Sequence, residues 1–82
     1  MVVTWFVYLL ECRNGAFYTG VTNNVARRMK LHKSGRGSKY VKRFGFKQLL
    51  RVQECESRSD ACQKEYAIKQ LPKWAKLSWF DS

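Results

Sequence analysis

The feature that most constrains this chain is the stretch TWFVYLLECRNGAFYTGVT, residues 4–22, where two runs of β-branched and aromatic residues flank Arg13-Asn14-Gly15. Such runs around a glycine-bearing turn specify a β-hairpin, with strands over 4–12 and 16–22. The opening apolar decamer reads as a buried strand. It has no basic segment before it and no small-residue cleavage site, and Glu11 arrives too soon for a membrane span of about 20 residues. With 82 residues, one domain over 1–82 with one modest core is expected, since chains this short bury only about 60 to 65% of the surface they expose when unfolded.

The turn leaves the side-chain register open. If Asn14-Gly15 forms a two-residue type I′ turn, Arg13 pairs with Ala16, and Tyr8 and Tyr18 face opposite sides of the sheet. If all three residues form the turn, with Gly15 in the left-handed conformation, Cys12 pairs with Ala16. Tyr18 then lies opposite Leu10 and diagonal to Tyr8, on one face. Gly15 suits either geometry.

Beyond the hairpin, Asn23 or Asn24 can cap a helix running to about Lys33, ended by the glycines of SGRGS. Residues 35–46 form a basic connection punctuated by glycine and containing Tyr40, and KQLLRVQE, residues 47–54, makes a third strand. Ser57, three residues before Asp60, resembles a capping box opening a helix over about 58–71. Pro72 then starts a short last helix. There, Trp74, Trp79 and Phe80 are expected to finish the core, with a dimer patch as the alternative. The order ββαβαα implies an α+β fold, a small sandwich in which a three-stranded, mainly antiparallel sheet packs with helices.

The charge is lopsided. Sixteen Lys and Arg against 6 Asp and Glu give +10 at pH 7, and Cys12–Gln53 holds 11 of the basic residues and no carboxylate. Such a block attracts a polyanion: DNA, RNA or an anionic membrane. The plain alternative is a solvated basic surface. Three cysteines, Cys12, Cys55 and Cys62, are odd in number and lack a C-x-x-C knuckle, which points to reduced thiols and a cytoplasmic location rather than disulfides or a zinc ribbon.

Two helices carry groups suited to chemistry. On the first, Val25 and Met29 mark the buried stripe, and Arg28 and His32, four apart, border it. On the second, Ala61 and Ile68 share a face with Glu65 close between them. A carboxylate in an apolar stripe needs a partner, and Arg28 is a candidate. Phosphodiester hydrolysis requires a divalent-cation site, a positive group for the phosphate and a group that activates water. Glu65, Arg28 and the phenols with His32 could fill those roles, since one carboxylate suffices for Mg²⁺.

The sequence resembles the GIY-YIG nuclease domain family, and within it the small single-domain bacterial UPF0213 subfamily. The resemblance runs from FVYLLECRNGAFYTGVTNNVARRMKLHKSG through SKYVKRF to SRSDACQKEYAIKQL. It implies a GIY-YIG endonuclease-like fold with both tyrosines on the catalytic face, which favours the three-residue turn. It also implies that Tyr8 closes the first motif, Phe6-Val7-Tyr8, and that Tyr18-Thr19-Gly20 is the second. Arg28 matches the catalytic arginine, His32 the residue one turn later, and Glu65 the metal-binding glutamate. Tyr40 falls where some members carry a further site histidine or tyrosine. Phe6 stands where the first motif has glycine, and no asparagine follows Asn24.

The expected function is therefore a Mg²⁺- or Mn²⁺-dependent endonuclease acting on DNA, weakly sequence-specific or directed by structure or a partner protein. Tyr8, Tyr18, Arg28, His32 and Glu65 are the expected catalytic residues, with Glu65 the metal ligand. Arg27, Lys30, Lys33, Arg36, Lys39, Tyr40, Lys42 and Arg43 would hold the nucleic acid, and a monomer without membrane attachment is expected. A phenol ordinarily ionises near 10, so a base role demands nearby positive charge. The alternatives are a non-catalytic nucleic-acid-binding module on the same scaffold and an interaction protein whose basic face docks an acidic partner or membrane surface.

Overall fold

The computed structural model describes residues 3–82; Met1 and Val2, which open the apolar decamer read as a strand, lie outside the described residues. Strands β1 (Trp5–Cys12), β2 (Phe17–Thr22) and β3 (Phe46–Cys55) form an antiparallel sheet in the order β2-β1-β3. Helices α1 (Val25–Lys33), α2 (Lys39–Phe44), α3 (Arg58–Lys69) and α4 (Lys73–Asp81) complete an α+β fold.

The turn is the three-residue one. Cys12 N–H donates to the Ala16 carbonyl at 2.8 Å and Gly15 N–H to the Cys12 carbonyl at 2.9 Å. Gly15 has φ 87, a conformation that glycine alone adopts without steric cost. Leu10 consequently pairs with Tyr18, and Tyr8 with Gly20.

β1 is the centre of the molecule and is covered on both sides, which is why its sequence is a nearly continuous apolar run rather than an alternation. Tyr8, Leu10 and Cys12 pack with Met29 of α1 and Val41 of α2. Val7 packs with Cys55 and with Ala61 and Ile68 of α3. The pairing of β1 with β3 slips between Leu9 and Leu10 and again between Glu11 and Cys12. Each slip places an extra β3 residue in the ladder and increases the local twist.

The connection expected over 35–46 contains the helix α2. Ser38 accepts a hydrogen bond from Val41 N–H at 3.0 Å, and Gly45, at φ 81, ends the helix. Six residues are too few to display a helical repeat, so α2 rests on its caps and on the burial of Val41. Asn24 caps α1 by accepting from Arg27 N–H at 3.0 Å, and Ser57 caps α3 by accepting from Asp60 N–H at 3.0 Å. Each such cap contributes about 1 kcal/mol. The Asp60 carboxylate accepts from Glu56 N–H, one residue before the position a capping box uses. Pro72 is the N-cap of α4 rather than its first residue. Trp79 and Phe80 pack against the Val7 cluster, but Trp74 is 80% exposed and does not finish the core.

Candidate functional site

The hairpin sets the first two groups. With Leu10 opposite Tyr18, Tyr8 and Tyr18 project from the same face, and their ring centroids are 6.4 Å apart. Tyr8 pairs with Gly20, and a Cβ on Gly20 would fall on the Tyr8 ring. The bare glycine therefore lets the Tyr8 phenol lie across β2.

α1 supplies the third group. His32 is 2% exposed, and its Nε2 and the Tyr8 hydroxyl share a hydrogen bond of 2.7 Å. Its ring also meets Tyr18 edge-on, with centroids 5.6 Å apart. The stripe of Val25 and Met29 expected on α1 thus gains His32 as a core member, although Arg28, also beside it, stays half-buried. Gly37 closes over the His32 ring so tightly that a Cβ there would overlap it, and His32 Nδ1 has no hydrogen-bond partner. The glycines of SGRGS read locally only as a helix stop; nothing in the neighbouring sequence marks Gly37 as the cover of a distant ring.

Burial dominates the ionisation of both linked groups. It pushes the Tyr8 phenol well above its ordinary range, with Tyr18 adding to the rise, Arg28 opposing it and Glu65 reinforcing it. It pushes His32 down to about 4, with the Arg28 charge acting in the same direction. Both side chains are neutral at pH 7.

Arg28 donates from its guanidinium to the Gly37 carbonyl at 3.4 Å. Glu65, on α3, pairs with Lys69 one turn along, Oε2 to Nζ 3.5 Å, and not with Arg28. Both charges lie within electrostatic reach of the Tyr8 hydroxyl. Among the described residues, no three His, Cys, Asp or Glu side chains gather as a metal site. Cys12 and Cys55 are buried free thiols and Cys62 is an exposed one.

Tyr40, on α2, stacks on Tyr18 with centroids 5.8 Å apart and is 42% exposed, which extends the aromatic surface outward from the tyrosine pair. Arg27, Lys30, Lys33, Arg36, Lys39, Lys42 and Arg43 are all exposed. None of them is in an ion pair among the described residues. A cavity of about 370 Å³ lies beside this face, walled by His32 and Val41 but by neither tyrosine nor Glu65. Its other walls include Arg13, Gly45, Phe46 and Lys47. Those four escaped sequence reading because the turn and the start of β3 meet only in the folded sheet. No helix is long and apolar enough to cross a membrane among the described residues.

Residues 4–77 match the family described as the GIY-YIG catalytic domain. A UPF0213 protein of Oceanobacillus iheyensis is 44% identical over 72 residues, covering 88% of this chain and 84% of its own length. A UPF0213 protein of Xanthomonas axonopodis pv. citri is 38% identical over 78 residues, covering 95% of this chain and 76% of its own. The solution NMR structure of the UPF0213 protein from Bacillus halodurans superposes with a TM-score of 0.58 at 37% identity, over 95% of this chain and 83% of that one. The paired motif tyrosines on one strand-turn-strand face, together with these matches, make the chain a member of the GIY-YIG catalytic domain family of nucleases, in its UPF0213 branch.

Proposed function

We propose that this protein is a divalent-metal-dependent endonuclease that hydrolyses phosphodiester bonds of DNA, with weak sequence preference or with direction from DNA structure or a partner. The observation that carries this reading is the convergence of Tyr8, Tyr18 and His32 on one face, with Arg28 donating to the carbonyl of Gly37, the residue that covers His32.

Glu65 fits a magnesium or manganese ion. A single carboxylate, its side chain 23% exposed, suits a cation that keeps several waters and takes further oxygens from a phosphate, and Lys69 at 3.5 Å holds Glu65 only by a one-turn pair that a dication would displace. Such an ion, when bound, supplies charge stabilisation at the phosphate and at the leaving oxygen. Arg28 is placed to hold a non-bridging oxygen as negative charge builds there. Tyr18, less buried than Tyr8 and beside Tyr40, orients the attacking water. As the water oxygen bonds to phosphorus the ester P–O bond breaks; the attacking water gives up a proton to solvent, and the departing oxygen takes one from solvent. Tyr8, which keeps its proton at pH 7, positions His32 and Tyr18 rather than acting as an ionised base. Tyr40 and the exposed cations of α1 and α2 hold the polynucleotide.

Supercoiled plasmid incubated with purified protein and Mn²⁺ or Mg²⁺ tests the reading. Nicking that requires the metal and disappears in Glu65→Ala and Arg28→Ala supports it, and nicking that persists in both variants overturns it. A second reading, a nucleic-acid-binding module without catalysis, draws on the Glu65–Lys69 pair, which satisfies the carboxylate without metal. It requires binding that is salt-sensitive and indifferent to metal and to Glu65→Ala.

A further inference from the structure

The cavity of about 370 Å³ beside His32 has a composition that the hydrolytic face does not explain. Four cationic side chains wall it, and they arrive from four separate segments: Arg13 from the hairpin turn, Lys33 from the end of α1, Lys42 from α2 and Lys47 from the start of β3. Lys47 alone has a carboxylate near it, Glu11, and at 3.9 Å with the lysine side chain 56% exposed that contact is weak. Arg13, Lys33 and Lys42 have no ion-pair partner among the described residues. Gathering like charges around one concavity is unfavourable unless an anion neutralises them.

The walls are also shaped for the purpose. Gly35 and Gly45 line the cavity at φ 79 and φ 81, backbone conformations that suit glycine. A Cβ on Gly45 would come within 2.9 Å of Arg13 Cδ, so the missing side chain lets Arg13 lie flat along the wall. There Arg13 Nε donates to the Phe46 carbonyl at 3.4 Å, and the guanidinium makes no other hydrogen bond among the described residues. Lys33 Nζ stands 5.7 Å from the centre of the Phe46 ring.

We infer that this cavity binds the terminal phosphomonoester of a polynucleotide whose adjoining chain crosses the Tyr18 face. The polynucleotide in this statement rests on the proposed nuclease reading; the phosphomonoester rests on the cavity. A backbone diester brings one negative charge, and cations that track a backbone lie in a row along a groove. Here the cations come from four segments and wall one cavity, and three of them lack an ion-pair partner among the described residues. A phosphomonoester brings about 1.5 to 2 charges at pH 7 and three acceptor oxygens, which matches such a cluster better. His32 is the wall shared by the cavity and the tyrosine face, so a bound end would lie next to the hydrolytic groups, and cleavage would fall close to a phosphorylated terminus.

Fluorescence anisotropy at fixed salt, in EDTA and with Glu65→Ala protein, compares oligonucleotides of one sequence that carry a 5′-phosphate, a 3′-phosphate or only hydroxyl ends. A phosphorylated end is expected to bind about tenfold tighter than the hydroxyl-ended strand, the gain of a charge-assisted, multidentate phosphate contact. Arg13→Gln and Lys47→Ala, both at exposed positions, should collapse that ratio toward unity. Equal affinity for phosphorylated and hydroxyl ends overturns the proposal. So does displacement of the phosphorylated strand by a free nucleoside monophosphate at equal concentration, which would make the small molecule the true ligand. The assay needs neither metal nor cleavage, so loss of hydrolysis leaves it standing, and equal binding of the ends leaves the hydrolytic reading standing.

Discussion

The Tyr8 hydroxyl and His32 Nε2 share a 2.7 Å hydrogen bond between the central strand and the first helix, and both side chains are almost wholly buried. The link is more than a packing contact, because each partner would otherwise leave a polar atom in a dry environment. His32 already has one such atom, Nδ1, without a partner. The pair therefore ties the position of the hairpin face to that of α1, and with it the spacing between Tyr18 and Arg28.

Tyr8→Phe removes one side of that bond and leaves Nε2 unpaired. Its stability should fall by about 1 to 3 kcal/mol, the penalty for a buried polar group without a partner. Urea unfolding at pH 7, with the slope unchanged between variants, measures it. A Tyr8→Phe protein as stable as the parent would show that water or a rotated His32 replaces the bond.

Acid should destabilise the protein through His32. Its folded pKa, about 4, lies below the ordinary 6.5, so the unfolded chain binds the proton more tightly. Stability is then fully present above about pH 6.5 and declines as pH falls toward 4, by up to about 3 kcal/mol. Thermal midpoints between pH 7.5 and 4 should show the slope, and His32→Gln should flatten it even though its midpoint at pH 7 is lower.

Gly20→Ala places a methyl group on the Tyr8 ring, and Gly37→Ala places one on the His32 ring. Each should cost about 1 to 3 kcal/mol through overpacking, and each should shift the aromatic NMR resonances of Tyr8, Tyr18 and His32 together. Shifts confined to the substituted residue would mean that the three rings are not one packed unit.

Arg28→Lys keeps the positive charge but loses the planar fork. Under the hydrolytic reading, kcat should drop about a hundredfold with DNA affinity nearly unchanged, since charge is stabilised as the reaction proceeds and not on binding. Single-turnover cleavage and anisotropy on one substrate separate the two effects.

Ile68→Ala should cost about 2 to 5 kcal/mol, because Ile68 is fully buried under the sheet with Ala61 and Val7. Its effect on hydrolysis should follow the loss of folded protein, in contrast to Glu65→Ala three residues earlier.

Much of this molecule could be read from residues near one another in the chain. The alternation of strand and turn residues specified the hairpin, the Asn23-Asn24 pair and Ser57 marked helix starts, of which Asn24 and Ser57 are the caps, and Ala61 with Ile68 named the buried face of α3. Local chemistry failed at α2, whose six residues carry no period, and at Trp74, whose apolar ring faces solvent because α4 turns Trp79 and Phe80 inward instead. It also failed for Glu65, whose partner is Lys69 within its own helix rather than Arg28.

By itself the sequence determined the three strands and the helices α1, α3 and α4, the carboxylate-free basic block and the residue types available for chemistry, because propensity, periodicity and charge act over a few neighbours. It left Tyr8 and Tyr18 free to face the same side or opposite sides. Tertiary structure decided that question, since Gly15 at φ 87 set the register in which Leu10 meets Tyr18. Tertiary structure alone buried His32 against Tyr8 under the cover of Gly37 and drew four cations from distant segments around one cavity. Such meetings depend on how sheet and helices pack across the whole chain, a relation that no window of sequence contains.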